Sequence, residues 1–477
     1  MNQSTERHWR TRAKSAIVAA VILLGGCARF SPDGGFSGVE SAVMERTGKE
    51  LRWAKSDDDA GALAAEVKRL LEQPLGVEQA VQLALLNNRG LQASYAQLGI
   101  AESELVQAGR LINPGFSYGR VTRGGEVEIE RKFIFSLLEL LTIGRRVEIA
   151  TQRFEQIKLN AAAEALRVAG EARRAWVEAV AARESQRYFE QVREAAEASA
   201  ELSDRMARLG NFSKLQRMRE QAFYAESSAQ LARARHGTLA ARERLIRALG
   251  LWGEDLLLRL PERLPELPAV PRELASVESA AIRDRLDVRA AKHEAESLAA
   301  SLGLTGATRY VNVLELGLER NSETGKPVQK GWELELRLPV FDSGDARLAR
   351  AQHLYMQALQ RAAQTAVNAR SEAREAFGAY RTAFDLARHY REEIVPLRKR
   401  ISEENLLRYN GMLIGVFELL ADARESTAAV NAAIGALRDF WLAEGSLQMA
   451  LTGRSPGAIS AGGSAAAMPA AGESAGH

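Results

Sequence analysis

Two stretches of this chain share one hydrophobic rhythm. Leu215, Met218, Ala222, Ala225, Ala229, Ala232, His236, Leu239, Glu243 and Ile246 step alternately by three and four residues. Val416, Leu419, Ala423, Ser426, Val430, Ala433, Leu437, Phe440, Glu444 and Leu447 do the same, each 201 residues later. An average step of 3.5 is the period of a left-handed coiled coil rather than of a lone amphipathic helix. The many alanines let such helices approach closely. A longer helix is predicted before each: 145–208 contains no proline, and 346–408 contains only Pro396, where a bend is expected. The 64 residues of the first would extend roughly 96 Å, a rod that no globular core requires. Short turns, LGNFS (209–213) and YNGMLIG (409–415), join long helix to following helix. The result is two antiparallel hairpins with exposed tips.

Ahead of each long helix the period falls to two. In EVEIERKFIF (126–135), Val127, Ile129, Phe133 and Phe135 share one face, with Arg131 as the exception on it. Glu126, Glu128, Glu130 and Lys132 take the other face. In WELELRL (332–338), Trp332, Leu334, Leu336 and Leu338 oppose Glu333, Glu335 and Arg337. These are strands with one apolar and one charged face. Less regular partners precede them, GFSYGRVT (115–122) and RYVNVLELGLER (309–320), through the hairpin connections RGG (123–125) and NSETGKP (321–327).

Strands of about ten residues with apolar and aromatic outer positions have the length needed to cross a bilayer. Four strands cannot close, and an open edge in hydrocarbon leaves backbone groups unpaired at several kcal/mol each. Three chains would supply twelve. If apolar residues choose lipid, their alternates face a lumen: Glu126, Glu128, Glu130, Glu315, Glu319, Glu333 and Glu335, with Lys132, Arg309 and Arg337, a net −4 per chain. The competing reading of the same alternation is a soluble sheet capping a helical bundle.

Other matches support a duplicated chain. EARRAW (171–176) returns as EAREAF (372–377), NRGLQA (88–93) faces RLDVRA (285–290), and Gly144 faces Gly344. The copies are read as 75–253 and 254–453, after an N-terminal segment 27–74 and before a Gly/Ala/Ser-rich tail, 454–477, expected to be disordered.

The order of these segments resembles the TolC-type outer-membrane efflux duct family, over about residues 75–453. VEQAVQLALLNNRGLQASYAQLGIAESELVQAGRLINP (77–114) is similar to the family's opening segment. LRLPVFDSGDARLARAQ (336–352) resembles its strand-to-helix junction, and LLRYNGMLIGVFELLADARES (406–426) its second hairpin tip. The resemblance implies an α+β membrane protein whose duplicated hairpins and four strands trimerise. Twelve strands would form a β-barrel continuous with an α-helical barrel that reaches across the periplasm. Such a homotrimer conducts passively, as the outer-membrane exit duct of a tripartite efflux system. Its tips, here Leu209, Gly210, Asn211, Asn410, Gly411 and Met412, would dock on a periplasmic adaptor beside an inner-membrane pump. Where relatives narrow the periplasmic mouth with acidic side chains, this chain has Glu418 and, one turn on, Asp422. The first copy places Lys214 and Arg217 there, which suggests a salt-bridge lock rather than a purely acidic gate.

The N-terminus adds an anchor. Arg7, Arg10, Arg12 and Lys14 precede an apolar run, Ser15–Leu24, too short to span a bilayer, and two glycines lead into Cys27. That order is a secretory signal (1–26), and Leu24-Gly25-Gly26-Cys27 resembles the bacterial lipobox, in which the cysteine is acylated. Cys27 is the only cysteine, so an internal disulfide is excluded. Without the signal the chain has 60 basic and 60 acidic residues, which argues against a nucleic-acid partner. The six histidines are scattered singly, and no phosphate loop, dinucleotide fingerprint or nucleophile elbow is present, so neither a metal, a cofactor nor an enzyme is indicated. The principal alternative is a lipid-anchored periplasmic coiled-coil scaffold or adaptor without a barrel.

Overall fold

The structure, a computed structural model, describes residues 29–253, 258–274 and 276–454. The signal segment, Cys27 and the tail beyond Arg454 lie outside the described residues. Four helices come first: α1 (Phe36–Thr47), α2 (Asp57–Leu71), α3 (Val77–Asn87) and α4 (Arg89–Ala108). A hairpin of β1 (Gly115–Arg123) and β2 (Glu126–Ser136) runs into α5 (Leu137–Arg208) and α6 (Lys214–Leu249). The same order then recurs: α7 (Val277–Asp284), α8 (Leu286–Ala307), β3 (Leu314–Glu323), β4 (Gln329–Leu336) and α9 (Asp345–His389). A π-helical turn (Tyr390–Ile394), α10 (Val395–Asn410) and α11 (Val416–Thr452) complete the chain.

Several boundaries differ from those expected. The first long helix begins at Leu137, not 145, because β2 passes directly into it. Gly144 is therefore mid-helix, whereas Gly344 has φ +77° just before α9, so the two glycines are not equivalent. The π-turn ends two residues before Pro396, which has no N–H to donate and whose ring crowds the preceding turn.

The described residues divide into two compact units, and each takes its chain from both copies. One unit comprises the described residues to Ala42, Ala93–Ala162 and Leu286–Val367, and holds the sheet. Within it the fully buried Tyr95 meets Phe36 edge-on at 4.9 Å, and Gly35, at φ +74°, lies so close to Phe154 that a Cβ would come within 2.5 Å of its ring.

The other unit comprises Val43–Gln92, Ala163–Arg285 and the described residues from Asn368. Its largest core cluster packs Trp176 and Val180 of α5 against Leu245 and Leu249 of α6 and Leu83 of α3. The buried Trp176 indole donates to the Leu75 carbonyl at 2.7 Å. Asn87 fastens the end of α6 by donating to the carbonyls of Leu249 (3.1 Å) and Gly250 (2.8 Å). A second cluster stacks Tyr380 and Phe384 on Phe440.

Helix α6 does not bury the stripe that its sequence rhythm marks. Leu215, Met218 and Leu239 are more than half exposed, while Glu220, Phe223, Ser227, Leu231, Leu245 and Leu249 are buried. Contacts within the chain use a neighbouring stripe, and the 3.5-residue seam stays open from Leu215 to Glu243, closing only at Ile246. The matching stripe of α11 is half-buried and closes at Phe440 and Leu447.

Candidate functional site

The four strands form one antiparallel sheet in the order β1-β2-β3-β4. Its register assigns every side chain to a face. Phe116 pairs with Phe133, Phe133 with Leu318, and Leu318 with Trp332, so one apolar row crosses all four strands. Phe135, Leu316 and Leu334 make the next row, and Leu314 and Leu336 the one after. This face is open: Phe116 is 59% exposed and Trp332 73%.

The opposite face carries the seven carboxylates predicted for it: Glu126, Glu128, Glu130, Glu315, Glu319, Glu333 and Glu335. Lys132 lies among them, 3.5 Å from Glu319 and in contact with Glu333, over Gly317, where a Cβ would come within 2.9 Å of the lysine. Two expected members are absent from the face. Arg309 precedes β3, which starts at Leu314, and instead donates to the Ser343 carbonyl (2.9 Å) and pairs with Asp345 at the start of α9. Arg337 lies beyond β4, which ends before Pro339. Two others join: Glu323, because β2 holds β3 in register as far as Glu128 opposite Glu323, and Arg123 opposite Glu126. Nothing in the polar run NSE signalled that pairing to a third strand would extend β3. The face thus holds eight carboxylates and two basic side chains, a formal −6.

At the hairpin tips, Leu209, Gly210 and Asn211 turn α5 into α6, with Gly210 at φ +76°. Asn410, Gly411 and Met412 turn α10 into α11, and Met412 has φ +60° without being glycine. Its side chain is 94% exposed. The four candidate gate residues are not gathered into one cluster. Glu418 is exposed and caps its own helix, accepting the Gly415 N–H at 2.9 Å. Asp422 is buried, and Ser402 of α10 donates to it at 2.5 Å, while its other oxygen, Oδ1, has no partner among the described residues. Lys214 is the exposed first residue of α6, and Arg217 reaches Asp204 across the hairpin at 3.5 Å.

The first hairpin repeats the Ser–carboxylate clasp. Ser199 donates to the buried Glu220 at 2.8 Å. Sequence reasoning overlooked Glu220 because it falls off the 3.5-residue seam. The one available signal was its spacing from a serine, which matches that of Ser402 and Asp422 to within one residue. Between the hairpins, Arg424 of α11 lies 3.6 Å from Glu226 of α6 and covers the ring of Phe223.

Among the described residues no helix is long and apolar enough to cross a membrane, and no group of three or more His, Cys, Asp or Glu could hold a metal ion. No protein-family model and no curated protein matches the sequence. Solved structures do match. The outer-membrane protein VceC of Vibrio cholerae superposes with a TM-score of 0.68 at 16% identity, over 82% of this chain and 97% of that one. The fold is that of TolC-type outer-membrane channels. A membrane protein of Pseudomonas aeruginosa gives 0.68 at 20% identity, over 81% and 93% of the two chains. The MtrE outer-membrane channel of Neisseria gonorrhoeae gives 0.60 at 19% identity, over 79% and 89%. The TolC-type fold thus accounts for both the four-stranded sheet and the two long hairpins.

Proposed function

We propose that this chain is the outer-membrane exit duct of a tripartite efflux system, conducting substrates passively from an inner-membrane pump and a periplasmic adaptor. The observation that carries the reading is the sheet. It has one exposed apolar face, one charged face and two unpaired edges, and only closure with other copies would satisfy those edges in hydrocarbon. Three copies give a twelve-stranded barrel with Glu126, Glu128, Glu130, Glu315, Glu319, Glu333 and Glu335 lining the lumen. The open seam of α6, at Leu215, Met218 and Leu239, then packs on a neighbouring chain in a helical tunnel. Met412 and Leu209 present apolar side chains to the adaptor at the tips. Glu418, Asp422, Lys214 and Arg217 govern the periplasmic mouth, and Cys27 carries an acyl anchor in the outer membrane.

The test is purification of the full chain, native mass measurement, and insertion into planar bilayers. Trimers with stepwise, voltage-independent conductance are expected. A monomer, or a trimer that never conducts, would leave the lipid-anchored scaffold as the better reading. The anchor is tested apart: Cys27→Ser should abolish palmitate labelling in cells and leave conductance intact, and a variant that still takes label refutes the lipobox.

A further inference from the structure

The sheet sorts its charges by face. All eight of its carboxylates lie on the charged face, whereas the apolar face carries Arg120, Arg131, Arg320 and Lys330 and no carboxylate. None of these four enters a salt bridge among the described residues. Three of them share one row. Arg320 pairs with Lys330, Tyr118 pairs with Arg131, and the register set by Phe133 opposite Leu318 puts Arg131 beside Arg320. Like charges side by side on a sheet repel. On the lipid face of a barrel a cation costs about 2–4 kcal/mol at mid-membrane and about 0–1 near the interface. This row therefore does not belong in the middle of a bilayer.

Most apolar residues of this face lie on the helix side of the row, and on the hairpin-turn side β2 adds only Val127 and Ile129. From the row of Phe116, Phe133, Leu318 and Trp332 the apolar rows run to Leu314 and Leu336, beyond which the chain turns out of the sheet with Leu338, Val340 and Phe341 exposed. The cationic row thus falls towards the hairpin-turn end of the apolar rows.

We propose that Arg131, Arg320 and Lys330 form a contact for the phosphate groups of an anionic lipid leaflet, with Tyr118 among them at the level where aromatic side chains favour the interface. Guanidinium groups bind phosphate oxygens in bidentate fashion, and a layer of fixed anions removes the repulsion within the row. The inference rests on the membrane-spanning reading of the sheet and adds to it a partner of defined chemistry and the depth at which the barrel sits.

The full chain is reconstituted in phosphatidylcholine vesicles with and without diphosphoryl lipid A, and the temperature at which the oligomer dissociates is read on semi-native gels. Lipid A should raise that temperature by several degrees, and R131Q/R320Q/K330Q should lose the shift. If the triple variant does not assemble, Lys330→Gln alone, on an edge strand, should lose part of it. Equal temperatures with and without lipid A, or a shift retained by the variants, overturn the proposal. So does an equal shift from inorganic phosphate added to phosphatidylcholine vesicles, which would mean a free-anion site. Planar-bilayer conductance of the same preparations separates the two readings. Conducting channels indifferent to lipid A remove this inference alone, whereas absent conductance removes the barrel.

Discussion

In the proposed trimeric barrel, charge on the lumen-facing side of the sheet should make the channel cation-selective, and the structure sets the size of the effect. Each chain contributes eight carboxylates and two bases on that face, so a trimer carries −18. Twelve strands spaced about 4.8 Å apart and tilted about 40° close at a backbone radius of roughly 12 Å. The Debye length is about 30 Å at 0.01 M salt, about 8 Å at 0.15 M and about 3 Å at 1 M. At the lowest of these the wall potential fills the lumen, and at the highest it is confined to a skin. Lys132 is already committed to Glu319 and Glu333, so Glu126, Glu128 and Glu130, which enter no salt bridge among the described residues, are the residues to change. E126K/E128K/E130K takes the face from −6 to zero per chain without touching the apolar side. The assay is the reversal potential in planar bilayers under a tenfold KCl gradient. The wild type should approach the ideal cation limit of about 59 mV at low salt and fall well below it above 1 M. The triple variant should lie near zero throughout. Anion selectivity in the wild type, or an unchanged reversal potential in the variant, would show that the register or the lumen assignment is wrong.

Three further outcomes follow from individual contacts. Arg285 is wholly buried and donates to Glu372 at 2.7 Å, so Arg285→Ala should cost about 3–5 kcal/mol, whereas R285M/E372L should be near neutral. Hydrogen exchange of the α7 and α11 amides would show it, and exchange unchanged in Arg285→Ala refutes the pairing. Met412 holds a left-handed backbone at φ +60° with its side chain in solvent, so Met412→Gly should relieve roughly 1 kcal/mol and slow exchange at that tip, whereas Met412→Ala should not. Hydrogen bonds from Arg374 and Arg370 hold the Glu278 carboxyl below the usual carboxylate range. A lowered folded-state pKa contributes stability that is present above the unfolded value, about 4.3, and is lost as pH falls through the folded value. Protection of α7 should accordingly drop on acidification below about pH 4.5, and Glu278→Gln should remove that pH dependence.

Periodicity along the chain was enough to place the hairpins, the tips and the alternation that gives the sheet two unlike faces, because burial of a strand or helix face repeats every two or 3.5 residues whatever it packs against. The seven carboxylates of the charged face were legible for the same reason. Neighbours across space were not. Glu323 joins the charged face only because β2 pairs with β3, and Arg309 leaves it because Asp345 and the Ser343 carbonyl hold it elsewhere. Asp422 read as a gate residue one turn from Glu418 and on the same face, yet Ser402 draws it into the hairpin, since i,i+4 spacing says which residues share a side of a helix and not which side another helix covers. The seam of α6 shows the same division from the other direction. Its rhythm is written in the sequence, but tertiary packing buried a different stripe and left Leu215, Met218 and Leu239 exposed. A hydrophobic pattern records that a surface will be covered, and only the packing of the chain decides whether the cover comes from within it.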